Sequence, residues 1–144
     1  MFTPVNMRSA NAYRTVSVET SVTGADPHQL VGLLYDALLQ SVGKAKVAIE
    51  ANDIAGKGQA IGRAVRLIEE GLKAALNDAQ GGELAANLRG LYDYCIVRLS
   101  EANLHTDKSM LEEVEQLIRP VAEAWNQIRS EVTTTPGSQV GKGA

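Results

Sequence analysis

The chain has 144 residues, of which 44% are hydrophobic and 4% aromatic, and its net charge is −3. This length predicts one domain with a sizeable core, and the scarcity of aromatic side chains favours helices packed through Leu, Ile, Val and Ala. The negative charge argues against nucleic-acid binding, for which basic surface supplies most of the affinity. The single cysteine, Cys95, excludes an internal disulfide.

Residues 1–25 lack a sustained period, although Val16, Val18 and Val22 alternate with polar residues. The start of the chain has no apolar run of the kind that a signal peptide carries. No stretch reaches the ~18 continuous apolar residues of a membrane span. We therefore expect a mobile or extended N-terminal arm, and a cytoplasmic protein that does not insert into a membrane.

Two helices are predicted in the first half of the chain. The first begins at Asp26-Pro27, where Asp is a good N-cap and Gln29 can complete a capping box, and it ends at Asn52-Asp53. Its apolar residues recur at helical spacing from Leu30 to Ile49. The second runs from about Ile54 to Asn77, and Gln80-Gly81-Gly82 marks a break.

Two more helices are predicted in the second half. The third runs from about Glu83 to Leu104, with an apolar stripe from Leu84 to Leu99 that includes Cys95. The fourth begins near Thr106-Asp107 and ends near Val132, and Pro120 should kink it. Trp125 continues its apolar stripe towards Ile128 and is predicted to be a packing residue.

These elements predict an all-α fold, an antiparallel up-and-down four-helix bundle with a mobile or extended N-terminal arm. The domain boundaries that we expect are 1–25 for the arm, 26–132 for the bundle and 133–144 for a disordered tail. The tail is polar and rich in small residues, which is typical of segments that do not fold by themselves.

The residues assemble no catalytic, cofactor or metal site. A di-iron bundle needs Glu-x-x-His pairs, and no Glu lies three residues before His28 or His105. We interpret both histidines as solvated or capping imidazoles, because His28 lies in a first helical turn and His105 at a helix end. Cys95 falls on an apolar stripe and is interpreted as a small buried hydrophobe. The chain is therefore not expected to be an enzyme.

Two features point instead to a binding protein. The first helix carries more apolar residues than one bundle seam needs, among them Val31, Tyr35, Leu39 and Val42. Surplus apolar surface usually marks a partner site, such as a groove that accepts an amphipathic helix. In addition, six glycines fall inside helical patterns: Gly32, Gly43, Gly58, Gly62, Gly71 and Gly90. They provide either close packing between the bundle helices or room for a further helix on the outside.

Short segments in a fixed order carry a family resemblance. They are Ala12-Tyr13, the first-helix run from Pro27 to Asp36, the third-helix runs Gly82 to Leu88 and Leu91-Tyr92-Asp93-Tyr94, then Leu99 to Asn103, and Ala124-Trp125. Each piece alone is weak, but the ordered set over about residues 10–130 resembles the flagellar secretion chaperone family, FliS.

The resemblance implies a cytoplasmic chaperone of flagellin. Such a chaperone binds the C-terminal segment of flagellin, which is disordered before polymerisation and folds into helices around the chaperone. It thereby prevents premature filament assembly and aids delivery to the flagellar type III export gate. The arm, near Tyr13, is expected to cover the binding groove until the client arrives.

From the surplus apolar residues and the family segments together, eight residues are predicted to contact the partner: Tyr13, Val16, Val31, Tyr35, Leu39, Val42, Tyr92 and Tyr94. The free protein is expected to be a monomer or a weak homodimer. The main alternative is a structural bundle that homodimerises through the same apolar face. A phosphate relay through His28 or His105 is the third hypothesis, and the position of His28 beside Pro27 disfavours it.

Overall fold

The computed structural model describes the backbone of residues 26–143, and the side chains of that range except at 78–80 and 129–143. The predicted N-terminal arm lies outside the described residues. Four helices make up the described part: α1 (Pro27–Glu50), α2 (Ile54–Arg66), α3 (Asp78–His105) and α4 (Lys108–Gly143). A π-helical segment (Leu67–Leu72) follows α2 directly.

The start of α1 has the predicted capping box. The backbone N–H of Gln29 donates to the Asp26 carboxylate at 2.7 Å, and the Asp26 N–H donates to the Gln29 side chain at 3.2 Å. Pro27 occupies the first turn, where its missing N–H costs nothing. Asp53 caps α2 in the same manner through the Gly56 N–H, at 2.9 Å. Local sequence therefore fixes where both helices begin.

The second predicted helix differs from the structure. Instead of continuing to Asn77, α2 ends at Arg66 and the wider π-helical segment takes over, with the Lys73 N–H donating to the Ile68 carbonyl at 2.8 Å. Leu67, Ile68, Gly71 and Leu72 of that segment are all buried. Packing against the bundle selects the wider turn, which has no signature in the spacing of apolar residues.

The predicted glycine break before the third helix is confirmed at Gly82. Its φ of 54° and ψ of −126° are not helical, so residues 78–81 form a separate turn ahead of the main helix. A side chain is strongly disfavoured at this positive φ, and only glycine adopts such a conformation readily.

The fourth helix is longer than predicted. Asp107 caps its start by accepting from the backbone N–H and the hydroxyl of Ser109, at 2.9 and 2.6 Å. The helix then continues through Pro120 without a break and passes Val132, where the sequence places its end, to reach Gly143. The side chains from residue 129 onwards lie outside the described part, and the separate character of residues 133–144 stays a prediction.

The four helices form the predicted antiparallel up-and-down bundle, joined by short connections. Helix α1 packs between α2 and α4, and α3 packs against α2 and α4 from the opposite corner. The helices α1 and α3 therefore face each other across the diagonal, where the Tyr35 and Tyr92 hydroxyls share a short hydrogen bond. An ion pair between Lys46 and Glu115, at 2.7 Å, also joins α1 to α4.

Most of the predicted apolar stripes form the core, including Leu34, Leu38, Ile61, Ile68 and Leu99. Two residues of the predicted apolar stripes are exposed and do not belong to the core. Leu84 is 66% exposed, because it lies just after the Gly82 break at the edge of the bundle. Ile128 is 50% exposed, because α1 begins at Pro27 opposite Trp125 and offers nothing for the next turn of α4 to pack against.

A buried lysine holds the end of the bundle where α1 meets α2 and α3 meets α4. Lys57 is only 7% exposed, and its ammonium donates to the Asn103 carbonyl at 3.0 Å and the Thr106 hydroxyl at 2.8 Å. Both connections at this end contain a non-glycine residue at positive φ, Asn52 at 57° and Thr106 at 51°. Such backbone is strained and needs support from its surroundings.

We expect Lys57→Ala to lower the free energy of unfolding by about 1–3 kcal/mol, because it leaves the Asn103 carbonyl and the Thr106 hydroxyl without their charged donor. Urea unfolding monitored by circular dichroism measures this loss. Lys44→Ala, at an exposed position on α1, is the matched control and should be nearly neutral. Equal effects of the two substitutions would contradict the role assigned to Lys57.

The burial of three ionisable side chains also makes the free energy of unfolding depend on pH in the alkaline range. It raises the pKa of the Cys95 thiol from 9.0 to about 12, and it raises the pKa values of the Tyr35 and Tyr92 phenols above their usual 10.0. The unfolded chain ionises these groups first. The stability that they contribute is therefore complete below about pH 9 and is lost as pH rises towards 12.

Below pH 9 these groups should not change the urea concentration at the midpoint of unfolding. Between pH 9 and 12 we expect that midpoint to fall as the groups ionise in the unfolded chain. The double variant Tyr35→Phe/Tyr92→Phe removes both phenols together and leaves no unpaired buried hydroxyl, so the fall should become shallower. An unchanged slope would show that the two phenols do not cause it.

Candidate docking surfaces

The apolar residues of α1 that were predicted to face a partner are mostly used inside the bundle. Tyr35 is 1% exposed and Val42 is fully buried. Both side chains point into the core of the free chain, and their contact with a partner stays a prediction. Val31 and Leu39 are partly buried and pack against that core. The large number of apolar residues on α1 is explained by its two neighbours, α2 and α4.

The two tyrosines predicted on α3 have different environments. Tyr92 is 1% exposed and forms the diagonal hydrogen bond with Tyr35, and its contact with a partner stays a prediction. Tyr94 is 44% exposed and donates from its hydroxyl to Glu113 at 2.6 Å. That hydrogen bond raises the pKa of the Tyr94 phenol. Tyr13 and Val16 lie outside the described residues.

Trp125 joins the start of α1 to α4, which agrees with its predicted packing role. Its indole N–H donates to the His28 carbonyl at 2.9 Å, and its ring stacks on the His28 imidazole with centroids 4.1 Å apart. Gly32 lies beside this contact: a Cβ there would be in ordinary contact with the Trp125 ring at 3.5 Å and tight against the Asn126 side-chain oxygen at 3.2 Å. The contact closes the end of the bundle opposite Lys57.

His28 differs from its predicted role as a solvated or capping side chain. Its ring lies against Trp125, and among the described residues neither ring nitrogen has a hydrogen-bond partner, although both are buried. His105, in contrast, is exposed at the end of α3, as expected. No spacing rule could have paired His28 with Trp125, because 97 positions separate them in the chain.

The exposed apolar surface lies mainly on α3. Leu104 is 77% exposed, Val97 54% and Tyr94 44%. Val97 and Leu104 are seven residues apart, so they lie on one side of the helix, and the exposed small residues Ala86 and Gly90 share that side. We call this surface, comprising Ala86, Gly90, Tyr94, Val97 and Leu104, the outer face of α3.

Sequence reasoning identified only Tyr94 of this face as a contact. The predicted apolar stripe of the third helix, from Leu84 to Leu99, does not include Val97 or Leu104. Val97 and Leu104 lie on the opposite side from Cys95 and Leu99, and their seven-residue spacing was the available signal.

Among residues 26–143, with the gaps in side-chain description given above, no group of His, Cys, Asp and Glu could hold a metal ion. The only cysteine is fully buried, and its raised pKa keeps it a thiol at neutral pH. None of the helices described is long and apolar enough to cross a membrane.

We expect Trp125→Ala to cost about 2–3 kcal/mol of stability, which is below the ~3–5 kcal/mol of a fully buried tryptophan, because this ring is only partly buried. Trp125→Phe keeps an aromatic ring but loses the hydrogen bond to the His28 carbonyl and part of the indole's apolar area, so about 1–2 kcal/mol is expected. Thermal and urea unfolding of both variants measures the difference. Equal losses would mean that the hydrogen bond, and not the ring, holds the junction.

Comparison with known proteins identifies the family. Residues 9–132 match the family described as flagellar protein FliS. The chain is 47% identical over 117 residues to the flagellar secretion chaperone FliS of Salmonella typhimurium, covering 81% of this chain and 87% of that relative. It is 43% identical over 122 residues to the flagellar secretion chaperone FliSB of Pseudomonas aeruginosa, covering 85% and 96% of the two chains.

A more distant relative matches over a longer span. The flagellar secretion chaperone FliS of Bacillus subtilis is 36% identical over 133 residues, which cover 92% of this chain and 97% of the relative. The match therefore includes all four helices and is not confined to one motif. The resemblance seen in the short ordered segments is confirmed, and this chain belongs to the FliS family of flagellar proteins.

Proposed function

We propose that this protein is a cytoplasmic export chaperone that binds the disordered C-terminal segment of flagellin, prevents its premature polymerisation and aids its delivery to the flagellar type III export gate. Family membership supports the chaperone role, since the matched relatives are named flagellar secretion chaperones. The protein would act by binding alone, without chemistry of its own.

The observation that carries the proposal is the outer face of α3. Tyr94, Val97 and Leu104 expose apolar surface on a helix whose opposite side already supplies the core. Burial of an exposed Leu or Val side chain by a partner is worth about 1.5–3 kcal/mol when complete. A client segment that folds as it binds loses part of this gain to its own ordering, so several such contacts are needed.

The N-terminal segment is a second proposed contact region. Tyr13 and Val16 precede α1, whose start lies beside Trp125 on α4. We propose that both side chains contact the apolar surface of the bundle or the bound client. A tyrosine suits this role because its ring is apolar and its hydroxyl can stay hydrated.

The proposed function is tested with flagellin and with flagellin that lacks its C-terminal segment. We expect calorimetry to show a one-to-one complex with full-length flagellin and no heat of binding with the truncated form. In a seeded polymerisation assay, an equimolar amount of this protein should stop filament growth. Binding of both flagellins with equal affinity, or filament growth at the normal rate, would contradict the proposal.

The arm is tested by Tyr13→Ala. We expect Tyr13→Ala to weaken binding of the flagellin C-terminal fragment if Tyr13 contacts the client, and to lower the melting temperature of the free protein if Tyr13 contacts the bundle. Calorimetry gives the affinity and thermal unfolding gives the stability. Tyr94→Phe is a useful comparison, since it keeps the exposed ring and removes only the hydroxyl bonded to Glu113. If the Tyr13→Ala variant binds the fragment with wild-type affinity, Tyr13 is not part of the binding site.

A further inference from the structure

Lys57 is a buried cation that no carboxylate pairs with among the residues whose side chains are described. It is 7% exposed, and its ammonium donates to two neutral oxygens, the Asn103 carbonyl at 3.0 Å and the Thr106 hydroxyl at 2.8 Å. Lys46 and Lys108, in contrast, each hold a carboxylate. Since an ammonium has three N–H groups and an unpaired buried charge is costly, Lys57 retains one donor and an uncompensated charge for a further group.

The ammonium borders a pocket of about 160 Å³ between the two helix connections at this end of the bundle. The lining combines the cation with an amide, a hydroxyl and two apolar side chains, namely Lys57, Asn52, Thr106, Ile49 and Ile54. Ile54 is 76% exposed, so the pocket opens to solvent. We call it the Lys57 pocket. Its volume holds several water molecules, or one carboxylate on a short carbon stem.

Strained backbone borders the same pocket. Asn52 and Thr106 are the non-glycine residues at positive φ in the described backbone, and both line it. Asn tolerates this conformation, whereas for a β-branched Thr it is a genuine outlier. Such strain persists where the surroundings determine it, and it clusters at ligand sites. The strain, the unpaired cation and the pocket therefore coincide at one end of the bundle.

The groups around the pocket select the chemistry of a ligand. One cation with a neutral amide and a hydroxyl suits a single negative charge, whereas a phosphate would need more cations. The apolar side chains of Ile49 and Ile54 favour a carbon stem over an inorganic ion. Asp53 also borders the pocket, but its carboxylate caps α2 through the Gly56 N–H at 2.9 Å, and the positive end of that helix offsets its charge.

We propose that the Lys57 pocket binds a carboxylate with a short apolar stem. The carboxylate accepts from the free N–H of Lys57 and from the Thr106 hydroxyl, whose oxygen already accepts from Lys57 and whose hydrogen is therefore available. The stem lies on Ile54. The carboxylate belongs to a free small acid or to a partner protein, since both offer the same chemistry. The site requires no flagellin, so its failure would leave the proposed function standing.

The first test titrates the full chain with sodium butyrate, while sodium chloride keeps the ionic strength constant. A ligand that binds only the folded chain stabilises it, so at about ten times its dissociation constant butyrate should raise the melting temperature by about 3–6 °C. Acetate lacks the stem and should act more weakly. Butylammonium has the same stem and the opposite charge, and should have no effect. The ¹⁵N signal of the Lys57 ammonium should shift with the same saturation as the melting temperature.

Two substitutions assign the effect to the pocket. Lys57→Met removes the charge and keeps most of the stem, so the response to butyrate should disappear, although the free chain is less stable. Asn52→Asp keeps Lys57 and supplies a carboxylate inside the pocket, so it should raise the melting temperature in plain buffer and abolish the response. Asn126→Asp is the matched control, because it changes the charge equally at an exposed position beside Trp125, at the other end of the bundle. It should respond like the wild type.

Peptides distinguish the two sources of the carboxylate. If a short peptide with a free C-terminal carboxyl group, or an amidated peptide with an internal glutamate, stabilises the chain more than butyrate does, the ligand is part of a partner protein. If only butyrate acts, the ligand is a free small acid. The proposal is overturned if butyrate gives no saturable effect at constant ionic strength, or if it acts equally on wild type, Lys57→Met and Asn52→Asp. Lys57 would then serve the fold alone, with water in the pocket.

Discussion

Two buried tyrosines that meet across the diagonal of the bundle set the arrangement of everything around them. Tyr35 on α1 and Tyr92 on α3 satisfy each other's hydroxyl groups where no water reaches, so neither can move away without leaving a buried polar group unpaired. Because α1 and α3 have their main contacts with α2 and α4, this pair is a direct link between opposite corners of the described bundle. It fixes the depth at which both helices lie in the core.

That constraint explains why the two faces of α3 differ so much. With Tyr92, Cys95 and Leu99 directed inwards, the positions half a turn away must face outwards, and Val97 and Leu104 are among them. A bundle that only had to fold would gain from polar side chains there. The outward side of α3 instead carries exposed apolar residues and Gly90, beside which no atom of the chain lies, so this side contributes nothing to the core.

The sequence was sufficient to predict the helices and their order, because that information is local. Asp26 with Gln29, Asp53 and Gly82 mark boundaries by hydrogen bonding and backbone preference within a few residues. The division of apolar residues between core and surface depends on which helices are neighbours. Val42 is buried because α1 lies between two helices, and Leu84 is exposed because Gly82 turns the chain beside it. The His28–Trp125 contact and the buried Lys57 arise from the assembled bundle and have no local pattern.

Trp125 is the only tryptophan in the chain, and it lies where the described part of α1 begins. Its stacking on His28 and its edge contact with Tyr35, with centroids 6.2 Å apart, make its emission sensitive to this one corner of the molecule. The opposite end, held by Lys57, contains no fluorophore of comparable strength. The protein therefore contains an intrinsic optical probe that distinguishes loosening at the Trp125 end from loosening at the Lys57 end without any label.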